Sequence, residues 1–323
     1  MKISLGHILL LLMLAFPIAS LATPPVFLLA WGTSGSGDGE FNFPRRITVG
    51  ADGSVYVADR NNHRIQRFTA EGVFLGAWGG LGTEPGKFDF PFGIATDDSG
   101  HVYVAERNNN RIQKFTADGV FVRAWGVAGT GPGQFNFPVG VAVDHDYRVY
   151  VADSFNHRIQ RFTSTGGYLG QWGGFGNTAG KFNQPVVVAV DAAANVYVSD
   201  SANWRVQKFT GTGTFLTEWG SMGPDDDQFE GPRGIAFDAQ GNVWVVDQAP
   251  SWIKRFTAQG VFIEKFGGTG SGDGLFDRAE DVAIDANGYF YVTDPGNDRI
   301  QKFGPDVVPT RPTTWGGLKA IYR

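Results

Sequence analysis

After residue 22 the apolar positions come in short phrases that are spaced as strands and are too brief for helices. Ile47-Thr48-Val49, Val55-Tyr56-Val57-Ala58, Arg64-Ile65-Gln66-Arg67-Phe68 and Phe74-Leu75-Gly76-Ala77-Trp78 follow one another with turn signals between them. Gly53 and Gly72 stand at two of those turns, where a residue without Cβ takes positive φ at no steric cost. The phrases do not alternate cleanly: Val55 and Val57 point one way, Tyr56 and Ala58 the other. A sheet with one wet face would alternate, so these strands are expected to be covered on both sides.

The phrases recur with a period of 47 residues. An acid closes the second phrase at Asp59, Glu106, Asp153, Asp200, Asp247 and Asp294. Trp31, Trp78, Trp125, Trp172, Trp219 and Phe266 keep the same interval, and so do Phe41, Phe88, Phe135, Phe182, Phe229 and Phe276. Four short antiparallel strands per unit and six units predict an all-β fold, a six-bladed β-propeller of four-stranded blades. The series is out of phase with the chain ends. The sixth unit stops after Arg299-Ile300-Gln301-Lys302-Phe303, while Val26-Phe27-Leu28-Leu29-Ala30-Trp31-Gly32 matches the fourth strand of the other units. The N-terminal strand is therefore expected to close the sixth blade and remove a free edge.

The ends divide the chain into a signal peptide at 1–22, a propeller at 23–303 and a Pro-containing linker with a short tail at 304–323. Lys2, the apolar run Ile8–Phe16 and Ser20-Leu21-Ala22 fit a secretory signal cleaved after Ala22. The run is too short for a comfortable membrane span, so a mature chain without a span, secreted or periplasmic, is expected. In the tail Trp315, Leu318 and Tyr322 would share one face of a helix. The formal charge is −5, and loss of Lys2 with no acid makes it −5 − 1 = −6. That balance argues against nucleic acid as a partner. The absence of Cys excludes disulfides, thiolate zinc sites and cysteine nucleophiles.

The phrases G-x-F-x-x-P, V-Y-V-A-D, N-H-R-I-Q-x-F and G-x-F-L-x-x-W-G resemble the NHL repeat over about residues 26–303. The resemblance implies a six-bladed propeller that binds protein, nucleic acid or a small ligand. Some relatives on this scaffold are amidating lyases, some are sensor domains outside the membrane, and intracellular ones join the repeat to a zinc-binding RING. A chain without Cys has no RING. His63, His101, His145 and His157 do not assemble into the channel cluster that an amidating lyase needs.

Each Arg of the N-H-R phrase lies five residues after its acid, as in Asp59 and Arg64 or Asp153 and Arg158, which predicts a clamp on the loop between strands two and three. The Gly-Ser-Gly-Asp-Gly stretches at 35–39 and 270–274 look like calcium or phosphate loops but occupy the place of inter-blade turns. The informative positions are those where units differ on one face. After the Pro of each unit the residue at the channel mouth reads Arg45, Phe92, Val139, Val186, Arg233 and Glu280, a charged arc and an apolar arc, and Arg46 and Asp281 add charge at the next position. Trp204 replaces a His and Trp252 an Arg on adjacent blades, a candidate hot spot for a partner.

The candidate binding residues are thus Arg45, Arg46, Phe92, Arg233, Glu280, Asp281, Trp204 and Trp252, with no catalytic set, metal or cofactor expected. The function expected is an exported module that binds a protein or small-molecule ligand through this face. The alternative is a lyase or hydrolase with a divalent ion in the channel.

Overall fold

The computed structural model describes residues 24–305; the expected signal peptide at 1–22 and the expected tail fall outside the described residues. Six four-stranded antiparallel sheets form the propeller. From the channel outward, blade 1 comprises Pro44–Val49, Val55–Asp59, Arg64–Phe68 and Phe74–Gly79, and blades 2 to 5 repeat the pattern from Pro91, Pro138, Pro185 and Pro232. Blade 6 comprises Val282–Ile284, Phe290–Asp294, Arg299–Phe303 and, as its outer strand, Phe27–Trp31. That last strand pairs antiparallel with Arg299–Phe303, Trp31 opposite Ile300, so the ring closes as its phasing predicts.

Both faces of the second strands are buried, and Val55 through Asp59 have no appreciable exposure. The periodic aromatics join one blade to the next. Trp31 of blade 6 packs on Phe68 of blade 1 at 5.9 Å, and Trp78 of blade 1 on Phe115 of blade 2 at 5.8 Å. Each such contact removes a large apolar side chain from water at a junction that has no backbone ladder.

The clamp is present in five blades and reaches further than the loop. Nε of Arg64, Arg111, Arg158, Arg205 and Arg299 lies 2.5–2.9 Å from its acid. The rest of each guanidinium enters the connector from the preceding blade: Arg64 donates to the carbonyls of Ser36, Gly37 and Glu40. The carbonyls of the calcium-like loop at 35–39 therefore converge on an arginine. Blade 5 lacks that arginine, and Lys254, at the position of Gln66, takes over. Its ammonium lies 2.9 Å from Asp247 and donates to the carbonyls of Asp225 and Gln228.

A second acid series ties the opposite end of blades 2 to 6, with Gly50 at the equivalent position of blade 1. Asp97, Asp144, Asp191, Asp238 and Asp285 accept hydrogen bonds from amides of their own hairpin turns and from Tyr103, Tyr150, Tyr197, Trp244 and Tyr291. In two of these turns the left-handed residue is not Gly: Tyr147 and Ala194 each sit at φ +60°.

The first strands begin at the Pro, three residues earlier than the apolar phrase suggests. The mouth residues are consequently part of the inner strands rather than of loops. Blade 6 is the exception. Ala279 replaces the Pro, and its inner strand shrinks to Val282–Ile284 while Glu280 and Asp281 reach Thr293 by looser backbone bonds.

Candidate functional site at the channel mouth

The six inner strands line a central channel of about 300 Å³. Its walls include Ile47, Ile94, Val141, Val188 and Ile235, and Arg46 and Asp281 face it as charged groups. The loops between strands two and three and the inter-blade connectors share the mouth at the Arg46 end.

There the structure brings six of the eight candidate residues together. Arg45 pairs with Glu280 at 3.0 Å. Arg46 lies 3.6 Å from Glu280 and 3.5 Å from Asp281, and donates to the Glu280 carbonyl. Arg233 donates to Gln248, and Gln248 donates to Glu280. Phe92 does not head a separate apolar arc. It is buried, and the Arg45 guanidinium stacks on its ring at 3.9 Å. Val139 and Val186 are buried too, so the apolar arc read from the sequence is core rather than surface.

Trp204 and Trp252 are half-buried, and among the described residues no ring contact joins them. Trp252 lies at the rim beneath the Lys265 ammonium, 4.8 Å away. Trp204 occupies a latch position between blades. In the other blades His63, Asn110, His157, Ser251 and Asp298 accept there from the amide of Phe90, Phe137, Gln184, Arg278 and Phe43. Those five amides belong to residues with φ from +53° to +60°. Trp204 offers no acceptor, and the facing residue is Gly231, whose amide turns to Asp247 instead. The two departures are one local rearrangement of the junction between blades 4 and 5.

The structure adds residues that the pattern did not single out. Arg60, directly after its acid, extends over Phe90 at 4.7 Å and reaches Phe92 at 5.9 Å. Ser199 and Ser201 bond the carbonyls of Arg233 and Pro232. On the same face, farther out along the connectors, Leu81 (68%), Phe175 (72%) and Met222 (67%) are exposed. The histidines stand apart: His63 and His157 serve as latches, and His101 and His145 pair with Asp97 and Asp98 at the other end. Among the described residues no three His, Asp or Glu side chains form a group able to hold a metal ion, and no helix is long and apolar enough to cross a membrane.

Burial raises the carboxyl of Asp281 to about 6 against the opposing pull of Arg46 and the Ile47 amide. Desolvation and the nearby Arg46, Arg233 and Arg60 lower Arg45 to about 9, opposed by Glu280. For Asp281 the folded state binds the proton more tightly than an unfolded chain, whose carboxyl titrates near 4. Its contribution to stability is therefore full below about pH 4 and is lost as pH rises to about 6. In denaturant titrations from pH 4 to pH 7, the stability of wild type minus that of Asp281→Asn should fall by about 3 kcal/mol. A difference independent of pH would show that Asp281 keeps an ordinary titration.

Comparison with known proteins agrees with the architecture. The model of the NHL repeat matches residues 41–68, 88–115 and 135–162. A stretch of 47 residues is 49% identical to the E3 ubiquitin-protein ligase TRIM32 of Homo sapiens, covering 15% of this chain and 7% of that protein. Among solved structures, a protein of unknown function from Bacteroides thetaiotaomicron aligns with a TM-score of 0.64 at 18% identity, over 85% of this chain and 74% of the other. Virginiamycin B lyase from Staphylococcus aureus gives 0.59 at 18% identity over 86% and 88%. A gluconolactonase from Xanthomonas campestris gives 0.61 at 14% identity over 88% and 98%. At these identities the likeness is one of fold, which hosts many activities.

Proposed function

We propose that this chain, an NHL-repeat six-bladed β-propeller, is a binding module that engages a protein or small-molecule ligand through the face bearing the channel mouth. One observation carries the reading. The departures from the repeat gather on that face as an arginine-rich recess, and connectors on the same face expose Leu81, Phe175 and Met222. Arginine beside exposed apolar side chains suits a partner with a charged and an apolar part. A lyase or hydrolase reading gains no support from the histidines, which are committed to latches and hairpin turns.

The test is a titration of the partner recovered by affinity capture. Arg233→Ala, Trp252→Ala and Phe175→Ser should each weaken binding tenfold or more, a change of about 1.4 kcal/mol, with circular dichroism unchanged. His101→Ala and His145→Ala, at the far end, should leave it intact. The reverse pattern would put binding on the hairpin-turn face.

Export is part of the proposal and rests on Lys2, the apolar run Ile8–Phe16 and Ser20-Leu21-Ala22. Intact-mass measurement of the protein from the native host should give a chain beginning at Thr23. A full-length mass would exclude cleavage.

A further inference from the structure

We propose that the recess at the channel mouth binds a small oxyanion, the carboxylate or phosphate group of a small ligand, among the guanidinium groups of Arg45, Arg46, Arg60 and Arg233. The inference rests on reading this face as the binding face and adds the class of ligand. Four guanidinium groups share the recess with two carboxylates, Glu280 and Asp281, so the count leaves two positive charges. Both carboxylates are committed. Glu280 is held by Arg45 and Gln248, and Asp281 accepts from the Ile47 amide and faces Arg46. Arg233 reaches only the neutral Gln248 and Ser201, and among the described residues Arg60 has no carboxylate partner.

The arrangement gathers like charges that would disperse if solvent were their only partner. Arg45, Arg46 and Arg60 all lie over the one ring of Phe92, at 3.9, 5.9 and 5.9 Å. The ring face attracts each cation and fixes their mutual approach. Buried N–H groups without an acceptor remain on three of them: Nε of Arg45, Nε of Arg46 and Nε of Arg60. Buried donors are ordinarily satisfied, and a guanidinium fork matches a carboxylate or phosphate with paired bonds. The recess also sets the size of the ligand. Arg46 is 3% exposed and lies against the channel, so a compact anion reaches it where a folded protein surface does not.

The experiment uses the purified full chain and two probes, sodium succinate and inorganic phosphate, each compared with sodium chloride at equal ionic strength. Thermal melts and isothermal titration should show saturable binding of at least one probe. Succinate alone would mark a carboxylate site and phosphate alone a phosphoryl site. Arg60→Gln should weaken that binding at least tenfold. Arg60 carries no ion pair, so this variant should fold as wild type by circular dichroism, and Arg233→Gln supplies a second variant with the same expected loss. No binding of either probe beyond the chloride control would overturn the proposal, and so would equal binding by wild type and both variants. Either result would leave partner capture by Arg233→Ala and Phe175→Ser as a separate question, because that assay reads the whole face.

Discussion

Deleting residues 24–31 should lower the melting temperature of the propeller by roughly 10 °C or more. Phe27–Trp31 is the strand through which the two ends of the chain meet in one sheet. Its loss strips the ladder from Arg299–Phe303 and leaves an unpaired edge. It also removes Phe27 from the Phe303 ring at 6.0 Å, and Trp31 from Phe68 of blade 1 and from Tyr291. The Trp31–Phe68 contact crosses the junction between blade 6 and blade 1, so a ring without it can open there without breaking any other sheet. Thermal melts of the deleted and intact chains test this. Equal melting temperatures would mean that the N-terminal strand does not close the ring.

Lys254→Met should cost about 3–5 kcal/mol, the range for leaving one member of a buried ion pair uncompensated. Lys254 is 1% exposed, and Asp247 beside it is fully buried. The Asp247 Oδ1 atom accepts from the amides of Glu230 and Gly231, while Oδ2 faces the Lys254 ammonium. Methionine keeps the bulk and removes the charge, so the loss reports electrostatics rather than a cavity. The repeat supplies the rescue. The double change Trp252→Arg with Lys254→Gln restores the pair found in blade 1, where Arg64 and Gln66 both contact Asp59. It should recover stability to within about 1 kcal/mol of wild type. Urea titrations of the three proteins decide the matter. A double variant as unstable as Lys254→Met would show that blade 5 has lost the geometry of the arginine clamp.

Periodicity made the fold legible. An acid every 47 residues marked the blades, and the early start of the aromatic series at Trp31 revealed the closing strand. The clamp was legible because Arg and acid keep a constant offset. The substitution in blade 5 was only half legible. Trp252 stood out as a missing Arg, but the compensating Lys254 lies two residues on, on the same side of the strand, where a lysine reads as an ordinary polar residue. The series Asp97, Asp144, Asp191, Asp238 and Asp285 is equally periodic. It escaped notice because Asp in a turn needs no further explanation.

Site residues were harder for a physical reason. A mouth position can be placed on a face by its register, but register does not tell whether its side chain is covered. Phe92, Val139 and Val186 turned out to be buried. Leu81, Phe175 and Met222 are exposed although the same kind of residue fills the core. Arg60 follows its acid directly, at a position that Arg107 shares and that Ser154, Ser201, Gln248 and Pro295 hold in the other blades. That column marks two arginines on this face, and only the shared ring of Phe92 brings Arg60 beside Arg45.

The central claim is that binding occurs on the face of the channel mouth. Hydrogen–deuterium exchange of the chain with and without its captured partner tests it most directly. The account predicts protection confined to the loops at 60–63, 107–110, 154–157, 201–204 and 248–251 and to the connectors at 80–88, 174–182 and 221–229. Protection of the hairpin turns at 50–54, 97–101 and 144–148, with those loops unchanged, would contradict it.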